Sequence, residues 1–105
     1  MQTDLGEPKP LSAKRVEFLF ELYIVEEESR HQETRDRLRL LFDEHLPGRY
    51  LMRIINVTHE PEKAAEADVL ATPTLIKLRP KPAQRVVGDL FVGASLLSEL
   101  RLIPN

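Results

Sequence analysis

The stretch DVLATPTLIKLRPKP, residues 68–82, decides the fold. Its centre, TLIKL, reads as a buried strand. Pro73 stands at the mouth of that strand between Thr72 and Thr74, and Pro80 and Pro82 close it. A proline offers no backbone N–H and fixes φ, so at the start of a strand it marks an edge or a shaped turn, in some proteins through a cis peptide bond.

Working outward, the segment before it, THEPEKAAEADV, offers Thr58 or His59 as an N-cap, Pro61 at the first helical position and Glu62 beside the positive helix end. It predicts a short helix. Further upstream, YLMRIINV reads as a strand. EEESRHQETRDRLRLLFDEHLPGRY places Leu38, Leu41, Phe42 and Leu46 on one stripe of an amphipathic helix that Pro47 and Gly48 end. RVEFLFELYIV reads as another strand buried for most of its length. Residues 1–14, with two prolines, a glycine and no apolar period, read as a flexible N-terminal arm, which leaves 15–105 as the folded domain. Downstream of the proline turn, QRVVGD predicts a fourth strand and LFVGASLLSELRLI a third helix.

The order is βαβ, a short helix, then ββα. A first crossover of about 25 residues suits parallel pairing, and the short link between the last two strands suits a hairpin. This is the element order of a single-domain α/β, thioredoxin-like fold, in which a proline introduces the third strand.

Composition narrows the function. The 105 residues carry 15 basic and 17 acidic side chains, a net charge of −2, which opposes bulk phosphate neutralisation of the nucleic-acid-binding kind. Aromatic content is 6% with no Trp, so a base-stacking platform is not expected. Cysteine is absent, which removes disulfides, thiolate metal sites and thiol catalysis and fits a cytoplasmic location. No apolar run approaches the roughly 20 residues of a membrane helix, and the start of the chain lacks a signal-peptide pattern.

A thioredoxin-like enzyme needs a Cys, or in some transferases a Ser, where the first helix begins. Here Glu26, Glu27 and Glu28 stand in a row at that place, and they would repel an anionic sulfur species. Ser29 has no evident base to activate it. His31, His45 and His59 form no i, i+4 pair and read as surface or helix-end residues, not metal ligands. Arg35, Arg37 and Arg39 stand at alternate positions, which point in different directions on a helix, and with Asp36, Asp43 and Glu44 interleaved they read as salt-bridging surface. No catalytic, cofactor or metal site is therefore expected. The residues describe a non-catalytic binding module.

LATPTLIKL with the downstream PKPAQRVVGDL closely resembles the KaiB family, small regulators of the KaiC ATPase in the bacterial circadian clock. ELYIV, GRYLMRIINV and EPEKAAEADVLATPTL are similar as well, so the resemblance spans 16–103 without a gap. It implies a cofactor-free protein that docks on a KaiC-type ATPase hexamer and alters its phosphorylation state or its binding of other proteins, a further regulator or a histidine kinase among them. It also implies two folds, a tetrameric ground state and a monomeric thioredoxin-like state competent to bind KaiC, so self-association up to a tetramer belongs to the same expectation.

Carried over by position, Phe18 and Asp68 occupy places that face KaiC in the family. Arg53 lies on the strand that can capture a further partner by edge pairing. Thr72, Pro73, Thr74, Gly88 and Asp89 belong to the segments that determine the fold. Glu99 and Arg101 replace a Gly and an Asp of clock-type members, and both exchanges favour one continuous helix from about Ala94 to Leu102. Such a chain is expected to rest in the thioredoxin-like state. A thioredoxin-like adapter akin to the KaiB-related sensor domain of clock-output histidine kinases is the second reading, and a glutathione transferase fragment the third.

Overall fold

A computed structural model describes residues 16–88 and 93–102. The arm 1–14 and Asp89 lie outside the described residues. β1 (Phe18–Ile24) is followed by α1 (Ser29–His45), β2 (Tyr50–Asn56), α2 (Pro61–Glu66), β3 (Thr74–Arg79), β4 (Gln84–Val87) and α3 (Gly93–Glu99). The sheet order among the described residues is β2-β1-β3-β4. β2 runs parallel to β1, while β3 is antiparallel to both β1 and β4. The predicted strand and helix order is therefore the observed one.

Alternation along β1 sends Phe18, Phe20, Leu22 and Ile24 to one face of the sheet and Glu21 and Tyr23 to the other. The first face meets Leu38 and Phe42 of α1, Leu46 just after it, Leu96 of α3 and Leu100 just beyond that helix, forming the larger core cluster. Phe20 and Phe42 stack with centroids 4.3 Å apart, and Tyr50 meets Phe42 edge-on at 5.3 Å. Such aromatic pairs add about 0.5–1.5 kcal/mol each beyond the area they bury. Leu41 is only partly buried at the rim. The second face carries a smaller cluster of Tyr23, Ile55, Ala64 and Ile76, covered by the six-residue α2.

Three local expectations are corrected. The residue preceding α2 is Glu60, and neither Thr58 nor His59 is the N-cap. Thr58 instead turns to Asn56, giving its N–H and its hydroxyl to the Asn56 side-chain oxygen at 3.3 and 2.9 Å. His31 stands at a helix end, one of the two places expected, but it is not at the surface. It is 3% exposed, and its Nδ1 accepts the Val25 N–H at 3.0 Å.

The third correction concerns α3, which does not continue through Arg101. The helix ends at Glu99, and Arg101 adopts φ 58°. The Leu102 N–H bonds to the Leu97 carbonyl at 2.9 Å and the Arg101 N–H to that of Ser98 at 3.0 Å. That is the bond pair of a Schellman stop, with Arg101 in the left-handed position. Hydrogen bonding back to the last turn outweighs the preference of Arg for helix. α2 stops in the same way, with Asp68 at φ 56° and the Val69 N–H on the Ala64 carbonyl at 2.9 Å.

Candidate partner-binding site

The proline segment shapes one end of the sheet. The Thr72–Pro73 bond is cis, as are Arg79–Pro80 and Lys81–Pro82. Pro73 gives no N–H to the ladder, but its carbonyl accepts the Gly88 N–H at 2.9 Å, which closes the far end of the β3–β4 hairpin. Gly88 stands at φ 95°, a conformation that side chains rarely adopt, so glycine is required there for backbone reasons. Thr74, fully within the sheet, donates its hydroxyl to the Ala71 carbonyl at 2.6 Å. Thr72 precedes the cis bond, and Pro73, Thr74 and Gly88 each make a backbone contact at this end of the hairpin.

The three carried-over contact positions lie apart. Arg53 is exposed on β2, the edge strand, and its Nη2 is 3.3 Å from Glu21 Oε2 directly across the parallel pair. Glu21 also accepts the Tyr23 hydroxyl at 2.9 Å. Burial, followed by that bond, pushes the Tyr23 hydroxyl up to about 12. Tyr23 and Glu21 line a shallow open depression with Lys63, Glu66 and Ala67 beside α2. Leu51, two residues before Arg53 on the same face, is 48% exposed.

Phe18 is buried at the start of β1, stacked on Phe20 at 6.5 Å. What reaches the surface above it is the Arg49 guanidinium, 5.5 Å from the Phe18 ring centroid and paired with Glu17 at 2.6 Å. Glu17 strengthens the hold of Arg49 on its proton. Asp68 is exposed, and its position is set by the end of α2, where its backbone is left-handed and its carbonyl accepts Arg85 Nη1 at 3.2 Å.

Glu26, Glu27 and Glu28 precede α1 as an exposed acidic loop. Asn56 ties this loop to the end of β2. Its side-chain oxygen accepts the Glu26 N–H at 3.2 Å, and its amide reaches Glu27 Oε2 at 3.4 Å. The Glu27 backbone N–H is the largest influence holding the Glu27 carboxyl below its usual range, followed by Asn56, His59 and Thr58 against an opposing desolvation. Glu28 makes no side-chain cap bond to α1.

Two residues that organise these surfaces escaped sequence reasoning. Asn56 had a signal: an Asn that ends an apolar strand with a Thr two places on is the pattern of a side-chain-stabilised turn. Arg85 gives Nη2 to the Ala67 carbonyl at 2.7 Å as well as Nη1 to Asp68, so β4 caps α2. No local pattern announces a cap supplied from the next hairpin. Among the described residues, no group of three His, Asp or Glu could hold a metal ion. No described helix is long and apolar enough to cross a membrane.

A four-stranded sheet with a cis proline at its third strand, no cysteine in the chain and carboxylates where a thiol would stand defines a thioredoxin-like domain without thiol chemistry. Solved structures agree on the fold. The N-terminal domain of Synechococcus elongatus SasA is similar at a TM-score of 0.69 and 20% identity, covering 86% of this chain and 89% of that one. Mitochondrial thioredoxin 3 of Saccharomyces cerevisiae gives 0.65 at 17% identity, covering 90% and 86%.

Sequence carries the relationship further. The KaiB domain family matches residues 21–102. A circadian clock oscillator protein KaiB of Prochlorococcus marinus (strain MIT 9312) is 32% identical over 91 residues, 87% of either chain. The circadian clock protein KaiB3 of Synechocystis is 34% identical over 84 residues, 80% of this chain and 82% of that one. The chain belongs to the KaiB family.

Proposed function

We propose that this KaiB-family protein is a non-catalytic, cytoplasmic regulator. It docks on the ring of a KaiC-type ATPase and alters its phosphorylation state or its binding of other proteins, in circadian or related timing and stress regulation. The observation that carries this reading is the thioredoxin-like arrangement itself, found in a chain of this family, with β2 at the sheet edge and Arg53 exposed along it. Absence of cysteine supports a role through contact instead of chemistry. Arg53 and Asp68 are offered as contact side chains. Phe18 serves by holding Arg49 and Glu17 at the surface.

The experiment is size-exclusion chromatography with light scattering, on the protein alone and after incubation with the KaiC-like ATPase of the same genome, in ATP and in ADP. A monomer that joins the hexamer quickly is the expected result, with Arg53→Glu and Asp68→Lys each weakening the complex. Failure to bind in either nucleotide would overturn the reading. It would favour the second one, a thioredoxin-like adapter with another target, for which the likeness to the SasA N-terminal domain speaks.

A further inference from the structure

The turn that carries Glu26 and Glu27 is closed by the Glu28 N–H on the Val25 carbonyl at 3.0 Å. Three side chains hold its backbone. Asn56 accepts the Glu26 N–H at 3.2 Å, Gln32 donates to the Glu26 carbonyl at 2.8 Å, and His31 Nδ1 accepts the Val25 N–H at 3.0 Å. Of the three, only His31 can take up a proton near neutral pH.

A ring nitrogen that accepts an N–H must carry a bare lone pair, so the neutral ring keeps its own proton on Nε2. That nitrogen lies 3.9 Å from Glu28 Oε1. The Val25 carbonyl oxygen also stands near Nδ1, at 3.3 Å. Once protonated, Nδ1 can only donate, and this carbonyl is the acceptor within its reach. The two bonds exclude each other. The ring is 3% exposed, so a charge on it must be answered by the protein and not by water. A cation in the first turn of α1 also opposes the helix dipole, and the carboxylate placed to offset it is Glu28.

We propose that His31 is a pH-operated switch beneath the acidic loop. The neutral ring holds the Val25 N–H; the protonated ring releases it, donates to the Val25 carbonyl and draws in the Glu28 carboxylate, whose side chain is otherwise half-exposed. One of three adjacent negative charges thereby leaves the face that the loop presents. This inference concerns the loop alone and stands whether or not the protein docks on an ATPase ring. Other ionisable groups adjoin the loop. From α1, Arg35 reaches Glu26 at 3.9 Å and stays charged throughout. Glu27 has its carboxyl held below the usual range and keeps its charge across the window in which imidazoles titrate. From the turn after β2, His59 Nε2 lies 3.8 Å from Glu27 Oε2, a second imidazole at this surface that the test removes.

The test is an NMR titration of the whole protein from about pH 8 to about pH 5, following imidazole nitrogens and backbone amides together. The expected result at the high end is a His31 ring protonated on Nε2 and bare on Nδ1. As pH falls, the Val25, Glu26 and Glu28 amide signals should move at the His31 midpoint, and the Val25 N–H should lose its protection from hydrogen exchange. The Phe20 and Leu22 amides, within β1, should stay in place. His59→Gln should leave the loop shifts intact. His31→Asn sets an oxygen near the position of Nδ1 that takes up no proton in this range, so it should keep the Val25 bond and abolish the shifts. Glu28→Gln should move the His31 midpoint to lower pH. A proton on Nδ1 at the high end, a His31 ring that stays neutral down to about pH 5, loop shifts that vanish in His59→Gln or persist in His31→Asn, or a midpoint unmoved in Glu28→Gln would overturn the proposal.

Discussion

At Arg101 the backbone adopts φ 58°, where a side chain with a Cβ costs about 1–2 kcal/mol. The Schellman bonds to Leu97 and Ser98 hold it there. Replacing Arg101 with Gly removes the steric cost and returns part of it as unfolded-state entropy. We expect Arg101→Gly to raise stability by roughly 0.5–1 kcal/mol in urea denaturation, and a loss of stability would show that α3 continues past Glu99 in solution. Glu27 gives a second residue-scale expectation, with the opposite handle. Its carboxyl is held below the usual 4.5, so its contribution is fully present above that value and disappears as pH falls through the lower folded one. Glu27→Gln should therefore flatten the acid limb of a stability curve recorded from about pH 5 to about pH 3, where the unmodified protein declines more steeply.

At the scale of the element, β1 and α1 were legible because their signals are local. Alternating apolar residues from Phe18 to Ile24 and the spacing of Leu38, Phe42 and Leu46 each repeat with one period, and the core cluster uses them as the period predicts. Pro61 likewise marked the first position of α2. The end of α3 was not legible, because it depends on backbone bonds that no local pattern announces. Arg101 is a good helix residue forced out by backbone bonds, whereas Lys77 lies within TLIKL, the strand that reads as buried and is so. His31 and Thr34 continue the α1 stripe as polar side chains because local bonds to Val25 N–H and the Arg30 carbonyl satisfy them. The candidate contacts were legible only by resemblance, since nothing local distinguishes Arg53 from any exposed strand arginine. Phe42 tests the α1 seam. Phe42→Ala should cost about 3–5 kcal/mol by chemical denaturation, and a cost below about 1 kcal/mol would mean that α1 does not seat on β1.

For the molecule as a whole, the sheet order is the claim with most at stake. Arg53, Glu21, Ile76 and Arg85 stand level across the four strands. A chain without cysteine allows that order to be measured directly. With nitroxides on Arg53→Cys and Val87→Cys, both exposed and on opposite edge strands, backbone separation should be about 16 Å from three strand spacings and a two-residue offset. Dipolar broadening in electron paramagnetic resonance is expected; its absence would mean that β2 and β4 are not parts of one four-stranded sheet. The hold of Arg85 on Ala67 and Asp68 adds something about how such a molecule comes into being. Synthesis runs from the N-terminus, so the carbonyls of Ala67 and Asp68, just past α2, are made before the guanidinium that donates to them. Until β4 leaves the ribosome, those carbonyls belong to water. On the nascent chain, α2 closes on its own backbone bonds first, and the tie from Arg85 to the residues that follow it is added afterwards.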